Sequence, residues 1–389
     1  MPHISPFTGL VFDPSIVGPL DVVTAPPYDV IGESERRAFL ASSPYSVVHL
    51  DLSEGDADRY ERAADLLASW RSTGALVTDR EPSYQAYEMR FRLGARARRI
   101  RGLLCTVELE DWGGGVLPHE RTMPGPIEDR LRLLRATRTN LSPVYGTVAG
   151  PIPELAARLD EVMADPPPHA TVDEQGVEHR MWPVQPDPAI PGWLEAEPLL
   201  IADGHHRYTT ALRYRDERRA SDGPGPWDTV LALVVDACTE DPPVLPFHRV
   251  VSAEPAPTAG VRVRDLQEVL AEINDDDLVY GIVARVDGGP VHLIADLRTG
   301  ATRGPFPTVA LLHERVLGMD TSGDRIRFTP DAVDAEAAVR SGAALAAYIL
   351  PPTTPDRIRA VVEDGGRLPQ KSTFFWPKPL TGMVLRPLE

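Results

Sequence analysis

The stretch Ile201-Ala202-Asp203-Gly204-His205-His206-Arg207-Tyr208-Thr209-Thr210-Ala211-Leu212 runs from an apolar strand into a helix through a single glycine. Residues 198–202 read as a short buried strand, Gly204 permits a tight turn, and the helix continues to about Arg219. Two imidazoles and a guanidinium open that helix. A helix N-terminus carries exposed N–H groups and the positive end of the dipole, which suits a phosphate or a carboxylate. Arg207 adds a planar fork for the same anion. Asp203 is the odd charge there: it can cap the helix, hold a metal or act as a base. A plainer reading makes Asp203 the cap, one histidine a core hydrogen-bonder and Arg207 a surface ion pair. Two adjacent histidines with Asp and Arg beside a glycine favour the functional reading.

Outward from this turn, strands and helices alternate irregularly. Tyr60, Ala63, Ala64, Leu67 and Trp70 recur at helical spacing, and Gly74 ends that helix. Residues 84–93 and 98–109 read as two strands around a Gly94-Ala95 turn. Ile127, Leu131 and Leu134 mark another helix, and 229–237 is a second apolar strand. Further on, helices are expected near 263–273, 307–317, 332–341 and 355–363, with strands near 279–286, 290–297 and 345–350. The expected class is mixed α/β or α+β. Proline and alanine concentrate at Pro255-Ala256-Pro257. The expected division is therefore an N-terminal α/β region, 1–252, carrying the Asp-Gly-His-His-Arg turn, and a C-terminal α/β region, 253–389. The last segment, 368–389, is expected to fold back onto the first region.

Composition narrows the function. The chain has 389 residues, and 40 Lys and Arg against 57 Asp and Glu give a net charge of −17. Neutralising many phosphates needs a basic surface, so no nucleic-acid partner is expected, while a local pocket for a small phosphate ligand stays open. Two cysteines, Cys105 and Cys238, make neither a disulfide framework nor a four-cysteine zinc site. Apolar runs such as 230–235 are far short of a bilayer span, and the first residues lack a basic and apolar leader. A cytoplasmic protein with no membrane partner is expected. The 40 prolines, about one residue in ten and roughly double the usual share, punctuate many short elements.

Four more segments offer chemistry. In Pro118-His119-Glu120-Arg121-Thr122, Glu120 can be a general base or a metal ligand, although a solvated loop end is the commoner meaning. It is not the zinc-protease helix, because no histidine follows at the required spacing. In Ala25-Pro26-Pro27-Tyr28-Asp29-Val30-Ile31 two prolines fix an extended entry, and Asp29 either closes its own turn or points into a pocket. Pro369-Gln370-Lys371-Ser372-Thr373-Phe374-Phe375-Trp376-Pro377-Lys378 offers a charge and two hydroxyls for a phosphate, and aromatics that stack a purine or fill a core. It lacks the glycines of a P-loop. In Leu245-Pro246-Phe247-His248-Arg249-Val250-Val251 a polar pair sits between apolar residues.

These five segments, in their order along the chain at 25–31, 118–122, 201–212, 245–251 and 368–378, resemble the bacterial family known as domain of unknown function 1015, over essentially the whole chain. More distantly, the Asp-Gly-His-His-Arg turn is similar to the phosphate-handling turn of the ParB/sulfiredoxin superfamily. The resemblance implies a mixed sheet with a ParB/sulfiredoxin-like nucleotide-binding core and additional C-terminal α/β elements. Sulfinic-acid reduction is disfavoured, since His205 stands where sulfiredoxins carry cysteine. Free serine kinases of the superfamily are closer, because they carry a comparable Asp-Gly-His turn.

The resemblance thus implies an ATP- or ADP-dependent kinase acting on the hydroxyl of a small metabolite, such as free serine or a related hydroxy amino acid. Gly204, His205, His206 and Arg207 would hold the phosphates, with Lys371, Ser372 and Thr373 as a second clamp. Glu120 is the first candidate for the base, with Asp203 and Asp29 behind it, and Asp203 is the first ligand for Mg²⁺. Tyr28, His119, Arg121 and Thr122 are assigned to the substrate. Two other classes stand beside the kinase. One is a nucleotide-binding sensor without turnover, and the other a metal-dependent hydrolase using His119, His205 and His206. The kinase reading expects Arg207, Glu120, Asp29 and Lys371 to line one cavity.

Overall fold

Residues 84–108 form a long β-hairpin in the computed structural model, which describes residues 2–55, 58–122, 124–194, 197–252, 260–286, 289–298, 306–318 and 325–389. Tyr84–Leu93 pairs antiparallel with Arg96–Glu108, from Leu93 opposite Arg96 at the turn to Gln85 opposite Leu104. Around the turn 92–97 is exposed throughout, and 100–107 is buried throughout. That change marks where the hairpin goes from solvent to a sheet covered on both faces.

The hairpin is the centre of a nine-stranded sheet. In spatial order it runs Val116–Pro118, Leu199–Asp203, Val144–Val148, Thr229–Asp236, Arg96–Glu108, Tyr84–Leu93, Glu178–Val184 and His169–Val172, with Ile4–Ser5 paired to Arg96–Glu108. Thr229–Asp236 runs parallel to Val144–Val148 and antiparallel to Arg96–Glu108, so the sheet is mixed and the class is mixed α/β. Gly146 lets Leu199 pack against the neighbouring backbone, since a Cβ there would lie 2.6 Å from a Leu199 methyl carbon. The core under this sheet includes Leu103, Cys105, Val107, Val144, Ile201, Tyr208, Ala232 and Val234. Leu131 and Leu134 of the helix Pro124–Thr137 cluster with Tyr214 of the helix His205–Asp222 and with Leu388.

The chain divides into two compact units. The first comprises Met1–Leu117, Thr122–Pro242 and Pro377–Glu389, and the second comprises Pro118–Arg121 and Pro243–Trp376. In the first unit the C-terminal residues are woven into the fold. Leu10 and Leu385 exchange backbone hydrogen bonds of 2.8 and 2.9 Å, and Arg386–Pro387 pairs with Thr139–Asn140.

The second unit holds an antiparallel six-stranded sheet in the order Val261–Val263, Gly289–Asp296, Val279–Val286, Ala346–Ile349, His248–Val251 and Ile326–Thr329. Its strands alternate cleanly. Ile282, Ala284 and Leu293 pack with Leu311 and Leu312, whereas Val250, Val283 and Ala347 pack with Val269, Ala335 and Val339 of two helices. A period of two with both faces apolar is what a sheet covered on each side requires. The helix expected over 307–317 is present as Thr308–Leu312, followed by a wider π-type turn over His313–Leu317. Pro255, Ala256 and Pro257 lie outside the described residues. No helix among the described residues is long and apolar enough to cross a membrane.

Candidate functional site

The turn at 203–207 lies in the first unit. Leu199–Asp203 pairs with Val144–Val148, and its register shifts between Ile201 and Asp203. Such an irregularity re-aims the side chain that follows it. Gly204 then takes φ +93°, a left-handed conformation that a side chain rarely adopts, and the first helical bond runs from Tyr208 N–H to Gly204 C=O at 2.9 Å. A Cβ on Gly204 would also lie 3.1 Å from the guanidinium of Arg207, which folds back over the turn.

Asp203 does not cap the helix. Gly204 occupies the cap position, with no side-chain cap bond, and both carboxylate oxygens of Asp203 meet cations instead. Oδ1 takes the ammonium of Lys378 at 2.5 Å, and Oδ2 takes Nη2 of Arg207. Lys378 also lies 3.4 Å from Oδ2 of Asp29, while Nη1 of Arg207 donates to Ser142 Oγ at 3.1 Å and to the Pro143 carbonyl. Asp29, Asp203, Arg207 and Lys378 thus form one alternating group of two acids and two bases.

His205 is buried and stacked on Trp112, with ring centroids 6.3 Å apart. His206 is half-buried beside it.

Tyr28 and Asp29 reach this region from a single 3₁₀ turn, Tyr28–Val30. The guanidinium of Arg130 lies 4.2 Å from the Tyr28 ring centroid. Arg130 is itself fixed by Asp51, 2.6 Å from Nη1, and by Asp129, which accepts from Nε at 2.8 Å and Nη2 at 2.6 Å. Burial pushes the Asp51 carboxyl above the ordinary range against the pull of Arg130. It likewise raises the Tyr28 hydroxyl, with the Asp29 charge adding to the shift. A small open cleft of about 60 Å³ is lined by Tyr28, Asp51, Arg130, Asn140, Ser142 and Arg207 among others.

The second unit collects the remaining candidates. The Glu120 carboxylate accepts from the backbone N–H of Lys371 at 3.0 Å, Ser372 at 3.0 Å and Thr373 at 2.9 Å, and from Thr373 Oγ1 at 2.8 Å. His119 is fully buried, with Nε2 2.6 Å from Thr373 Oγ1, and meets the Phe375 ring edge-on. Because the Thr373 hydroxyl donates to Glu120, the proton on this contact belongs to His119. Ser372 Oγ donates to the Pro369 carbonyl at 2.6 Å, and the Lys371 ammonium lies 5.3 Å from the Phe247 ring centroid. The Thr373 hydroxyl and the backbone N–H groups of 371–373 thus hold this segment to His119 and Glu120, while the Ser372 hydroxyl closes its own turn.

Arg249 closes the same network. Nη1 donates to the carbonyls of Phe247 at 2.6 Å and Lys371 at 2.8 Å, and Nε donates to His313 at 3.0 Å. Complete burial pulls the Arg249 guanidinium down to about 9, against the pull of Glu120. Arg121 is exposed, and its N–H donates to the Leu368 carbonyl at 3.1 Å. Thr122 is half-buried and begins the next stretch of the first unit.

Among the described residues no three His, Cys, Asp or Glu side chains come together as a ligand set. Asp203, the expected Mg²⁺ ligand, already carries two ion pairs.

A family model for a protein of unknown function, DUF1015, matches residues 4–305. The chain belongs to that family. No curated relative matches the chain. Among solved structures, a free serine kinase in complex with AMP is 13% identical with a TM-score of 0.38, the match covering 67% of this chain and 83% of that one. SbnI with a C-terminal truncation, from Staphylococcus aureus, is 12% identical with a TM-score of 0.39, over 72% of this chain and 85% of its own. A conserved hypothetical protein from Pyrococcus furiosus is 13% identical with a TM-score of 0.36, over 67% and 86% of the two chains.

Sequence reasoning named Asp29, Asp203 and Arg207, which the first unit brings together, and passed over Lys378, Arg130 and Asp51. A lysine between two prolines, Pro377-Lys378-Pro379, was the available signal for the first of these. Arg130 looked like the polar side of an amphipathic helix, and nothing in its spacing distinguishes it from its exposed neighbours.

Proposed function

We propose that the first unit binds a nucleotide by its phosphates at the 203–207 turn. We further propose that it transfers a phosphoryl group to the hydroxyl of a small metabolite, with a hydroxy amino acid such as serine as the acceptor class. The observation that carries this reading is the pair of cations, Arg207 and Lys378, gathered on Asp203 at the start of an 18-residue helix. Phosphoryl transfer asks chiefly for positioning and for neutralisation of charge spreading over the phosphoryl oxygens. Two side chains already held near a helix N-terminus supply both, because the carboxylates hold the cations in place before any phosphate arrives.

In the proposed reaction the acceptor oxygen attacks the terminal phosphorus of ATP or ADP. The bond from that phosphorus to the bridging oxygen breaks, releasing ADP or AMP, and the hydroxyl proton passes to a carboxylate. We assign that base to Asp29, whose carboxylate is more exposed than that of Asp203 and meets Lys378 at 3.4 Å. Glu120 is left out of this role because four donors already occupy its carboxylate. Mg²⁺, when it accompanies a nucleotide, neutralises phosphate charge. Arg207 and Lys378 do the same from the protein side, and no step here runs through the metal.

Phosphorus NMR on the purified protein with ATP or ADP, Mg²⁺ and a pool of small hydroxylated metabolites tests the reading. A new phosphomonoester signal is expected, and Arg207→Ala or Lys378→Met should slow its appearance by roughly 100-fold or more. Nucleotide that binds without changing would replace the kinase by a sensor. Full activity in both variants would overturn the site.

A further inference from the structure

Behind Lys378 lies a buried chain of hydrogen bonds that the proposed reaction does not use. Asp173 Oδ2 is 3.3 Å from His179 Nε2, His179 Nδ1 is 3.0 Å from the Tyr87 hydroxyl, and that hydroxyl is 3.2 Å from the backbone nitrogen of Leu380. The proton positions follow from the end groups. The Leu380 N–H can only donate, so the Tyr87 oxygen accepts there and directs its own proton to His179 Nδ1. With Nδ1 accepting the hydroxyl proton, Nε2–H donates to the carboxylate. The order resembles a catalytic relay in form. Its members face inward, however: Tyr87 is 1% exposed and His179 fully buried, so no substrate reaches the hydroxyl.

What the chain does reach is the backbone beside Lys378. Prolines 377 and 379 flank that lysine, and each fixes its own φ. Pro379 also presses Lys378 towards extended conformations. Immediately after Leu380, Thr381 exchanges backbone hydrogen bonds of 2.8 and 3.1 Å with Ala25. From that same bridge the segment Ala25-Pro26-Pro27-Tyr28 leads to Asp29. Two proline-stiffened arms therefore leave one bridge and meet again at the Asp29–Lys378 ion pair. Over such a short stiff span, a shift of the Leu380 backbone is passed to the lysine.

We infer that the Asp173–His179–Tyr87 relay is a positioning device: it pins Leu380 and thereby holds the Lys378 ammonium at Asp203 and Asp29, where phosphate is to bind. Tyr87 and His179 are positioning residues in this scheme. The turn 173–177 orients the relay from its outer end, since Asp173 Oδ1 accepts the N–H groups of Gln175 at 2.9 Å and Val177 at 2.8 Å. The scheme rests on the proposed nucleotide site for its consequence, while the pinning of Lys378 stands on its own.

The test compares wild type with Tyr87→Phe in two readouts. The first is the rate at which an amine-reactive acetylating reagent modifies Lys378, followed by peptide mass spectrometry. The second is ATP affinity by calorimetry, measured with Lys378 intact and in a Lys378→Met background. Tyr87→Phe should speed labelling of Lys378 several-fold and weaken ATP by roughly 5- to 10-fold, about what one lost hydrogen bond allows. In the Lys378→Met background the ATP effect should vanish, which a general loosening of the fold would not produce. Unchanged labelling of Lys378, or an equal ATP loss in both backgrounds, overturns the scheme. Failure of wild type to bind ATP would sink the nucleotide site, and the labelling arm would still decide the relay. If Tyr87→Phe does not fold, Asp173→Asn loosens the same relay from its outer end and carries the same comparison.

Discussion

Glu120 stands out among individual residues because its carboxylate organises backbone. Three consecutive N–H groups, those of Lys371, Ser372 and Thr373, converge on it together with the Thr373 hydroxyl. Lys371 holds φ at +51°, a left-handed value that a non-glycine residue keeps only when its surroundings compel it. Replacing Glu120 by Ala leaves those donors without their acceptor, so the second unit should lose roughly 3–5 kcal/mol of stability. Glu120→Gln, which keeps an acceptor oxygen but not the charge, should lose less. Urea unfolding of the three proteins checks this order. A Glu120→Ala variant as stable as wild type would remove the anchor reading and return Glu120 to the list of free bases.

Strand His248–Val251 shows how an element sets the behaviour of its side chains. His248 Nδ1 accepts the Leu350 N–H at 3.1 Å, and Arg249 donates to His313 Nε2, whose other ring nitrogen faces the Gly318 carbonyl at 3.0 Å. Burial first, and the Arg249 charge second, push both imidazoles down to about 4. In the unfolded chain they protonate near 6.5. Between pH 6.5 and 4 the unfolded state therefore binds more protons than the folded one, and stability falls as pH falls through that window. The loss is on the order of 3 kcal/mol for each imidazole. Chemical denaturation at several pH values should show the slope, and His313→Gln should flatten it. A wild-type curve level from pH 7 down to 4.5 would contradict the burial argument.

At the scale of the whole molecule, Pro377–Glu389 follow the second unit in sequence and belong to the first in structure. They bring Lys378 to Asp203, and they bring Arg386, which donates to the Pro226 and Thr229 carbonyls at 2.8 and 2.9 Å. A chain ending at Trp376 should lose the Leu385 and Arg386–Pro387 pairings together with the buried Leu388. Its first unit should melt lower by roughly 10 °C or more. Scanning calorimetry of the full and shortened chains decides it, and coincident melting would mean that the last residues carry no structural weight. ATP binding should disappear with the same truncation.

How much was legible beforehand differs by element and by residue. The hairpin around Gly94-Ala95, the helix containing Leu131 and the helix after Gly204 could all be read, because each carries a local period or a breaker at the right place. Val144–Val148 could not: five residues after a proline, with a glycine in the middle, carry no period of their own and become a strand only between Leu199–Asp203 and Thr229–Asp236. Asp29, Asp203 and Arg207 could be named as chemistry because charged side chains cluster there beside turns marked by proline or glycine. That Asp203 would be an ion-pair centre was beyond reach, since its partner Lys378 lies 175 residues away. Local sequence thus determined the mixed α/β class, the acidic character of the chain, the strand–glycine–helix turn and the short list of polar residues around it. Tertiary structure alone decided which of those residues meet, because ion pairs and hydrogen bonds act over a few ångströms of space and are indifferent to distance along the chain.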